Sequence, residues 1–273
     1  MRIRIVDAFT DRPFAGNPAG VLILDGDGFP AADWMQRVAA EVNLSETAFL
    51  HRLPAGSDAG WALRWFTPGA EVALCGHATL GTTHVLHRAG LLDGAAVRYA
   101  TRSGILAATV AADGLITMDF PAAPLSPVEV APELAAALGV DATAGFWTGP
   151  NTDDILIELA DEAAVRGLTP DFGALARHTR RGVAVTARSA EHDFVSRFFA
   201  PAVGVNEDPV TGSAHTALTP YWAGRLGRTE LTGYQASARG GVVRVALRGD
   251  RVDLAGHAVT TIDGELQVAI SAS

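Results

Sequence analysis

The sequence predicts an α+β protein of two similar lobes, each a curled mixed or antiparallel sheet around a central helix. Three observations carry this. Arg64-Trp65-Phe66-Thr67-Pro68 followed by Cys75-Gly76-His77-Ala78-Thr79-Leu80-Gly81 has a second version in Arg197-Phe198-Phe199-Ala200-Pro201 followed by Asp208-Pro209-Val210-Thr211-Gly212-Ser213-Ala214-His215. In each copy an aromatic strand pattern ends at a Pro turn, and a small-residue turn then opens a helical pattern. Strand patterns outnumber helical ones, and each half carries one long helix after its signature.

Taken in order, Ile3 and Ile5 mark a first strand. Residues 10–20 read as a loop by their Gly, Pro, Asn and Asp content, and 21–24 as a buried strand. A helix is predicted over 32–42, with Trp34, Met35, Val38 and Val42 on one side and Asn43 as its C-terminal cap. Strands over 47–50 and 62–66 precede the first signature helix, 76–88, stopped by Gly90. Residues 97–101, 105–110 and 115–120 form an antiparallel meander through two Gly-containing turns.

The three prolines of 121–127 read as a linker. Beyond it come short helices over 132–138, 161–166 and 171–178, and strands over 145–148, 154–159, 182–187 and 193–199. The second signature helix spans 213–226 and ends at Gly227; a second meander covers 231–236, 242–247 and 251–255. Strands over 259–262 and 265–270 close the chain. The lobes are accordingly placed at 1–120, completed by the last strand (260–273), and at 121–259.

Composition bounds the function. The 273 residues are 48% hydrophobic and 19% charged, enough for a sizeable core. The net charge is -9, every basic residue is Arg, and no basic face forms, which argues against nucleic acid or an anionic membrane as partner. A single cysteine, Cys75, excludes an internal disulfide. The start of the chain reads as a strand, and no run reaches the roughly 18 apolar residues of a membrane span, so a cytoplasmic protein is expected.

Both signature helices begin at small residues, Gly76 and Gly212-Ser213-Ala214. A helix N-terminus presents unpaired N–H groups and partial positive charge, which suits a substrate carboxylate or a developing enolate. The alternative is that the glycines only permit tight turns. Glu46 is the acid/base candidate: it stands at the mouth of a strand against Leu44 and Phe49, where partial burial raises a carboxyl pKa. The competing reading is a capping box with Asn43. His77, in the first helical turn, is disfavoured as a cation and so expected neutral. Asp208 precedes the second helix, where a carboxylate is favoured.

Cys75 reads either as a nucleophile or racemase base or as a small buried residue; a two-base racemase needs a partner, and the matching position is Thr211, a far weaker acid. His77, His84 and His87 share a helix without a carboxylate at ligand spacing, so no metal site is assigned. Ser213 lies outside any Gly-x-Ser-x-Gly elbow, and residues 16–20 fit neither the dinucleotide nor the P-loop pattern.

These motifs in order, Val6-Asp-Ala-Phe-Thr, Phe14-Ala-Gly-Asn-Pro-Ala-Gly-Val21, Asn43-Leu-Ser-Glu-Thr-Ala-Phe49, Arg64 to Thr79 and Asp208-Pro-Val-Thr-Gly-Ser-Ala214, resemble the PhzF-like isomerases of phenazine biosynthesis over nearly the whole chain. The resemblance implies a diaminopimelate-epimerase-like pair of lobes with the active site in the cleft between them, a homodimer, and proton transfer without a cofactor. It places the acid/base on Glu46, supporting roles on His77 and Asp208, and a substrate contact on Ser213; Gly76 and Gly212 at the helix starts, with Asn17 and Ser45, complete the expected substrate-binding set. The implied substrate is a small, carboxylate-bearing molecule such as a dihydro-hydroxyanthranilate. Superfamily relatives that racemise use paired cysteines, and here Thr211 replaces the second. An epimerase using Cys75 and a non-catalytic binding protein of the same fold are the other readings.

Overall fold

The computed structural model describes residues 1–268. The chain divides into two compact units: Met1–Asp119 together with the segment from Ala255 onward, and Phe120–Leu254. Sequence reading put the second boundary at 259/260; the division by contacts falls between Leu254 and Ala255.

In the first unit the order is β1 (Arg2–Ala8), β2 (Asn17–Ile23), α1 (Ala32–Val42), β3 (Glu46–Arg52), β4 (Trp61–Phe66), β5 (Glu71–Val72), α2 (Gly76–Arg88), β6 (Ala96–Thr101), β7 (Gly104–Val110) and β8 (Ile116–Pro121). Strand β2 lies antiparallel to β1 and parallel to β3, β3 is antiparallel to β4, β4 parallel to β6, and β6, β7 and β8 form the antiparallel meander.

The second unit repeats this plan with β9 (Ser126–Glu129), α3 (Pro132–Leu138), β10 (Ala144–Trp147), β11 (Ile155–Glu158), α4 (Glu162–Arg166), α5 (Phe172–His178), β12 (Val183–Arg188), β13 (Phe194–Phe199), α6 (Gly212–Leu226), β14 (Glu230–Gln235), β15 (Gly241–Arg248) and β16 (Arg251–Gly256). Here β10 is antiparallel to β11, β11 parallel to β12, β12 antiparallel to β13, β13 parallel to β14 and β14 antiparallel to β15. The two sequences of pairings are the same, which is the duplication the repeated signatures predict.

The outer strand of each unit has a different source. In the second unit it is β9, which pairs with β10 and is therefore local. In the first it is β17 (Ala258–Glu265), from the far end of the chain, antiparallel to β1. The stretch expected to be a linker, 121–127, thus runs into the first half of β9, which is held in place by its pairing with β10. The two closing strands expected over 259–262 and 265–270 are one, ending at Glu265; residues 269–270 lie outside the described residues.

Each signature helix is buried nearly all round. Helix α2 packs on β1, β2, β3, β7 and β17 and buries His77 to Thr83, Val85 and Leu86. Its Gly81 faces Val6 at 3.5 Å from where a Cβ would stand, which sets how closely helix and sheet approach. Helix α6 carries Pro220, which cannot donate to the carbonyl of Thr216; the backbone N–H of Ala123 fills that gap at 3.1 Å. Helix α1 shows the amphipathic pattern expected of it, burying Trp34, Met35, Val38 and Ala39 against Phe49 and Phe66, and it ends on Asn43 at φ 52°, the left-handed cap. Such apolar side chains stabilise by about 1.5–3 kcal/mol each when fully buried.

One element starts earlier than its composition suggests. Residues 17–20 look like a turn, yet they are the first half of β2. Pairing with β1 on one side and β3 on the other overrides local preference. The turn proper is pushed back to Gly16, at φ +64°, where a Cβ would come 2.1 Å from the carbonyl oxygen of Ala8, so only glycine fits.

The candidate active site

Three elements of the first unit bring its candidate residues together. Glu46 is the first residue of β3, directly beside Ala19 of β2. Asn17 is the first residue of β2 and is fully buried. Cys75 is the N-cap of α2, and Gly76 and His77 open its first turn. The parallel pairing of β2 and β3 places two strand starts at the same end of the sheet, where the helix begins.

There His77 is the centre. Its Nε2 lies 3.2 Å from Oε2 of Glu46, close but out of line for a hydrogen bond. Apo active sites often hold such contacts loosely until substrate binds. Its Nδ1 meets Nδ2 of Asn17 at 3.3 Å and Sγ of Cys75 at 3.6 Å. Burial pushes the His77 pKa down to about 3, so the ring is neutral. The expected neutrality holds, with burial rather than helix position as its cause. The Glu46 side chain keeps 19% of its surface exposed, enough to meet a ligand.

The helix N-terminus itself has no side-chain cap: Cys75 is extended and caps nothing. The same holds for Thr211 at the start of α6. Ser45 is half-buried next to Glu46 in sequence. Asn17 sits fully buried against the ring nitrogen that faces away from Glu46.

Glu46, Cys75 and His77 each offer a ligand atom within 4.8 Å of the others, a grouping that helical His spacing could not reveal. Their contacts go to opposite nitrogens of the imidazole. That arrangement suits handling of a proton better than sharing of one ion.

The second unit holds a separate hydrogen-bonded set. The Thr211 hydroxyl donates to Oδ2 of Asp208 at 2.5 Å. Gln235 of β14 braces both: its Oε1 accepts from the Thr211 N–H at 2.8 Å, and its Nε2 donates to the Asp208 carbonyl at 2.7 Å. Ser213 accepts a hydrogen bond from Arg181 at 2.7 Å, and the same guanidinium pairs with the buried Asp154. Burial raises the Asp154 pKa to about 6 against the opposing pull of Arg181. Arg181, Asp154 and Gln235 were not found by sequence reasoning, because Arg181 and Gln235 reach the helix start from distant parts of the chain and Asp154 is tied to it only through Arg181.

One more pair marks the duplication. Arg64 and Glu71 form a two-bond salt bridge at 2.7 and 2.9 Å, and Arg197 and Glu207 form its counterpart at 2.7 and 2.9 Å. In both, the guanidinium also lies over the Phe two residues on, Phe66 or Phe199. These pairs tie each aromatic strand to the loop that leads into its signature helix.

The duplicated α+β arrangement is a diaminopimelate-epimerase-like fold, shared with solved structures of the PhzF and proline racemase kind. A hydroxyproline epimerase from Agrobacterium vitis shares the fold, with a TM-score of 0.62 at 14% identity over 97% of this chain and 91% of that one. The chain belongs to the PhzC-PhzF family, described as phenazine biosynthesis-like protein, whose profile matches residues 6–264, and it is an isomerase. It is 50% identical to an uncharacterized isomerase of Pseudomonas aeruginosa over 97% of each chain. A PhzF-family phenazine biosynthesis protein from Enterococcus faecalis superposes with a TM-score of 0.90 at 40% identity, covering 98% of this chain and 99% of that one.

Proposed function

We propose that this isomerase moves a proton between two carbon atoms of a small, carboxylate-bearing substrate, with Glu46 as the general acid/base and no cofactor. The observation that carries the reading is the 3.2 Å approach of His77 Nε2 to a partly exposed Glu46 carboxylate beside the uncapped start of α2. A carboxylate placed there can take a proton from an activated carbon and return it to another on the same face, so one base suffices. The substrate anion is met by the first-turn N–H groups at Gly76-His77, next to Glu46, an electrostatic attraction of about 0.3–1 kcal/mol. Asp208 and Ser213 take supporting and substrate-contacting roles on the strength of the motif resemblance. A shift of double bonds in a ring like that of a dihydro-hydroxyanthranilate is the reaction this reading favours.

The test screens small carboxylic acids for substrate-dependent incorporation of solvent deuterium. A Glu46→Gln variant with an unchanged circular dichroism spectrum is expected to lose that incorporation. Full exchange in the variant would remove Glu46 from the mechanism.

A further inference from the structure

We infer that Asn17 and Cys75 are positioning residues that hold His77 in the Nε2–H tautomer, so that the imidazole faces the Glu46 carboxylate as a hydrogen-bond donor. The inference deepens the proposed function and depends on it for its catalytic meaning; the tautomer itself is a property of the resting protein.

The argument is one of donors and acceptors. Nδ1 is approached by the amide Nδ2 of Asn17 at 3.3 Å and by Sγ of Cys75 at 3.6 Å. An amide nitrogen has only hydrogens to offer, and a thiol is a donor more readily than an acceptor. Nε2 is approached by a carboxylate oxygen at 3.2 Å, and an ionised carboxylate only accepts. One assignment makes all three contacts complementary: a lone pair on Nδ1 and the proton on Nε2, on the side of a carboxylate 3.2 Å away that is not yet in line for a full hydrogen bond. The reverse tautomer sets an Nδ1–H against N–H and S–H groups, and puts a nitrogen lone pair 3.2 Å from carboxylate lone pairs. With the ring fully enclosed, no solvent is at hand to relieve that mismatch, and the neutral state favoured by burial leaves a single proton to place.

The same reasoning gives Cys75 a function. A thiolate next to His77 calls for an imidazolium partner, which burial opposes, so Cys75 stays a thiol and gives its hydrogen to Nδ1. It thereby acts through the histidine on Glu46. Donation from Nε2–H stabilises the carboxylate when it has lost its proton and releases when the carboxyl is protonated, so both halves of a proton shuttle are served without the histidine changing charge.

Long-range proton–nitrogen correlation spectra of the full-length protein, labelled with nitrogen-15 in histidine, read the tautomer directly. The His77 signals are assigned by their loss in His77→Gln. The expected wild-type spectrum is a single neutral pattern with the proton on Nε2. Cys75→Ala combined with Asn17→Ala is expected to give mixed tautomers, and Cys75→Ser, which restores a donor, to keep the wild-type pattern. A wild-type proton on Nδ1, a protonated ring, or an unchanged tautomer in the double variant each overturns the inference. If the double variant fails to fold, the wild-type spectrum and the Cys75→Ser variant still decide. An Nε2–H spectrum together with full deuterium exchange by Glu46→Gln would leave the tautomer standing and reject the proposed function alone.

Discussion

The hydroxyl of Thr211 donates to the carboxylate of Asp208 at 2.5 Å, in the place where the first half of the repeat carries the thiol of Cys75. The two halves keep the same helix start and diverge in what stands before it. A hydroxyl already committed to a carboxylate is no mirror-image base, so the frame is symmetric and its chemistry is not. If Asp208 supports turnover, Thr211→Val removes a charge-assisted hydrogen bond worth about 1.5–3 kcal/mol. A fall of roughly ten- to a hundredfold in kcat/KM is expected, with Thr211→Ser recovering most of it. Steady-state kinetics on a substrate from the deuterium screen provides the check.

Arg181 holds Asp154 in the interior of the second unit, and the pair is unequal: the carboxylate is almost fully enclosed while about a third of the guanidinium is exposed. Arg181→Met leaves an uncompensated buried carboxylate and is expected to cost about 3 kcal/mol in urea unfolding. Arg181→Met with Asp154→Asn should recover much of that loss. A double variant no more stable than Arg181→Met would show that the pair does not set the cost.

Acid should weaken the protein through its buried histidines. His215 and His84 titrate near pH 4 and His77 near 3 in the folded chain, each below the unfolded value of 6.5. Their folded pKa values are lowered, so the unfolded state binds more protons below pH 6.5. Their stabilisation is complete above that pH and is lost as pH falls toward 4 and 3. For His215 the loss amounts to roughly 3 kcal/mol at full protonation. Asp154 runs the other way: its folded value of about 6 lies above the unfolded 3.8, so its contribution is present below 3.8 and lost as pH rises through 6. Three histidines outweigh one aspartate, and the urea midpoint is expected to drop between pH 6.5 and 4. His215→Gln should flatten that slope, and an identical pH profile in the variant would count against the assignment.

The two half-buried salt bridges offer an internal control. Glu71→Gln and Glu207→Gln break corresponding bonds in different units, Glu71→Gln also losing its contact with the exposed Arg102, and should each destabilise, by about 1–3 kcal/mol. The two effects should add, because the pairs share no partner. Hydrogen exchange read unit by unit provides the measurement, with each variant loosening the unit it belongs to.

Local patterns were legible where local physics decides them. The helix over Ala32–Val42, its Asn43 cap and the helix over Gly76–Arg88 follow from apolar spacing and capping residues a few positions away. Strand β9 and the first half of β2 were hidden, since Pro18, Gly20 and Pro127 read as turn residues until a distant partner pairs with them. The site divides in the same way. Glu46 and His77 stand out from motifs, but 31 residues separate them, and nothing in their spacing sets a 3.2 Å contact. Asn17 gave the opposite problem. Its place in a Gly-Asn-Pro motif suggested an exposed loop, whereas its register against Ala8 buries it behind the histidine. Arg181 and Gln235 carried no signal, because each is identified by the helix start it reaches and not by its neighbours in sequence.

The antiparallel pairing of β1 with β17 joins Arg2 to Glu265 and Ala8 to Ala258. During synthesis β1 emerges long before its partner, which follows the whole of the second unit in the chain. Until then its outer edge, with a full row of backbone donors and acceptors, has no strand to meet. The second unit has β9 at hand and can close its sheet as it emerges. The later half of the chain is therefore free to mature before the earlier half, reversing the usual N-to-C order of folding. A chain cut short before β17 would lack the strand that covers the outer edge of β1.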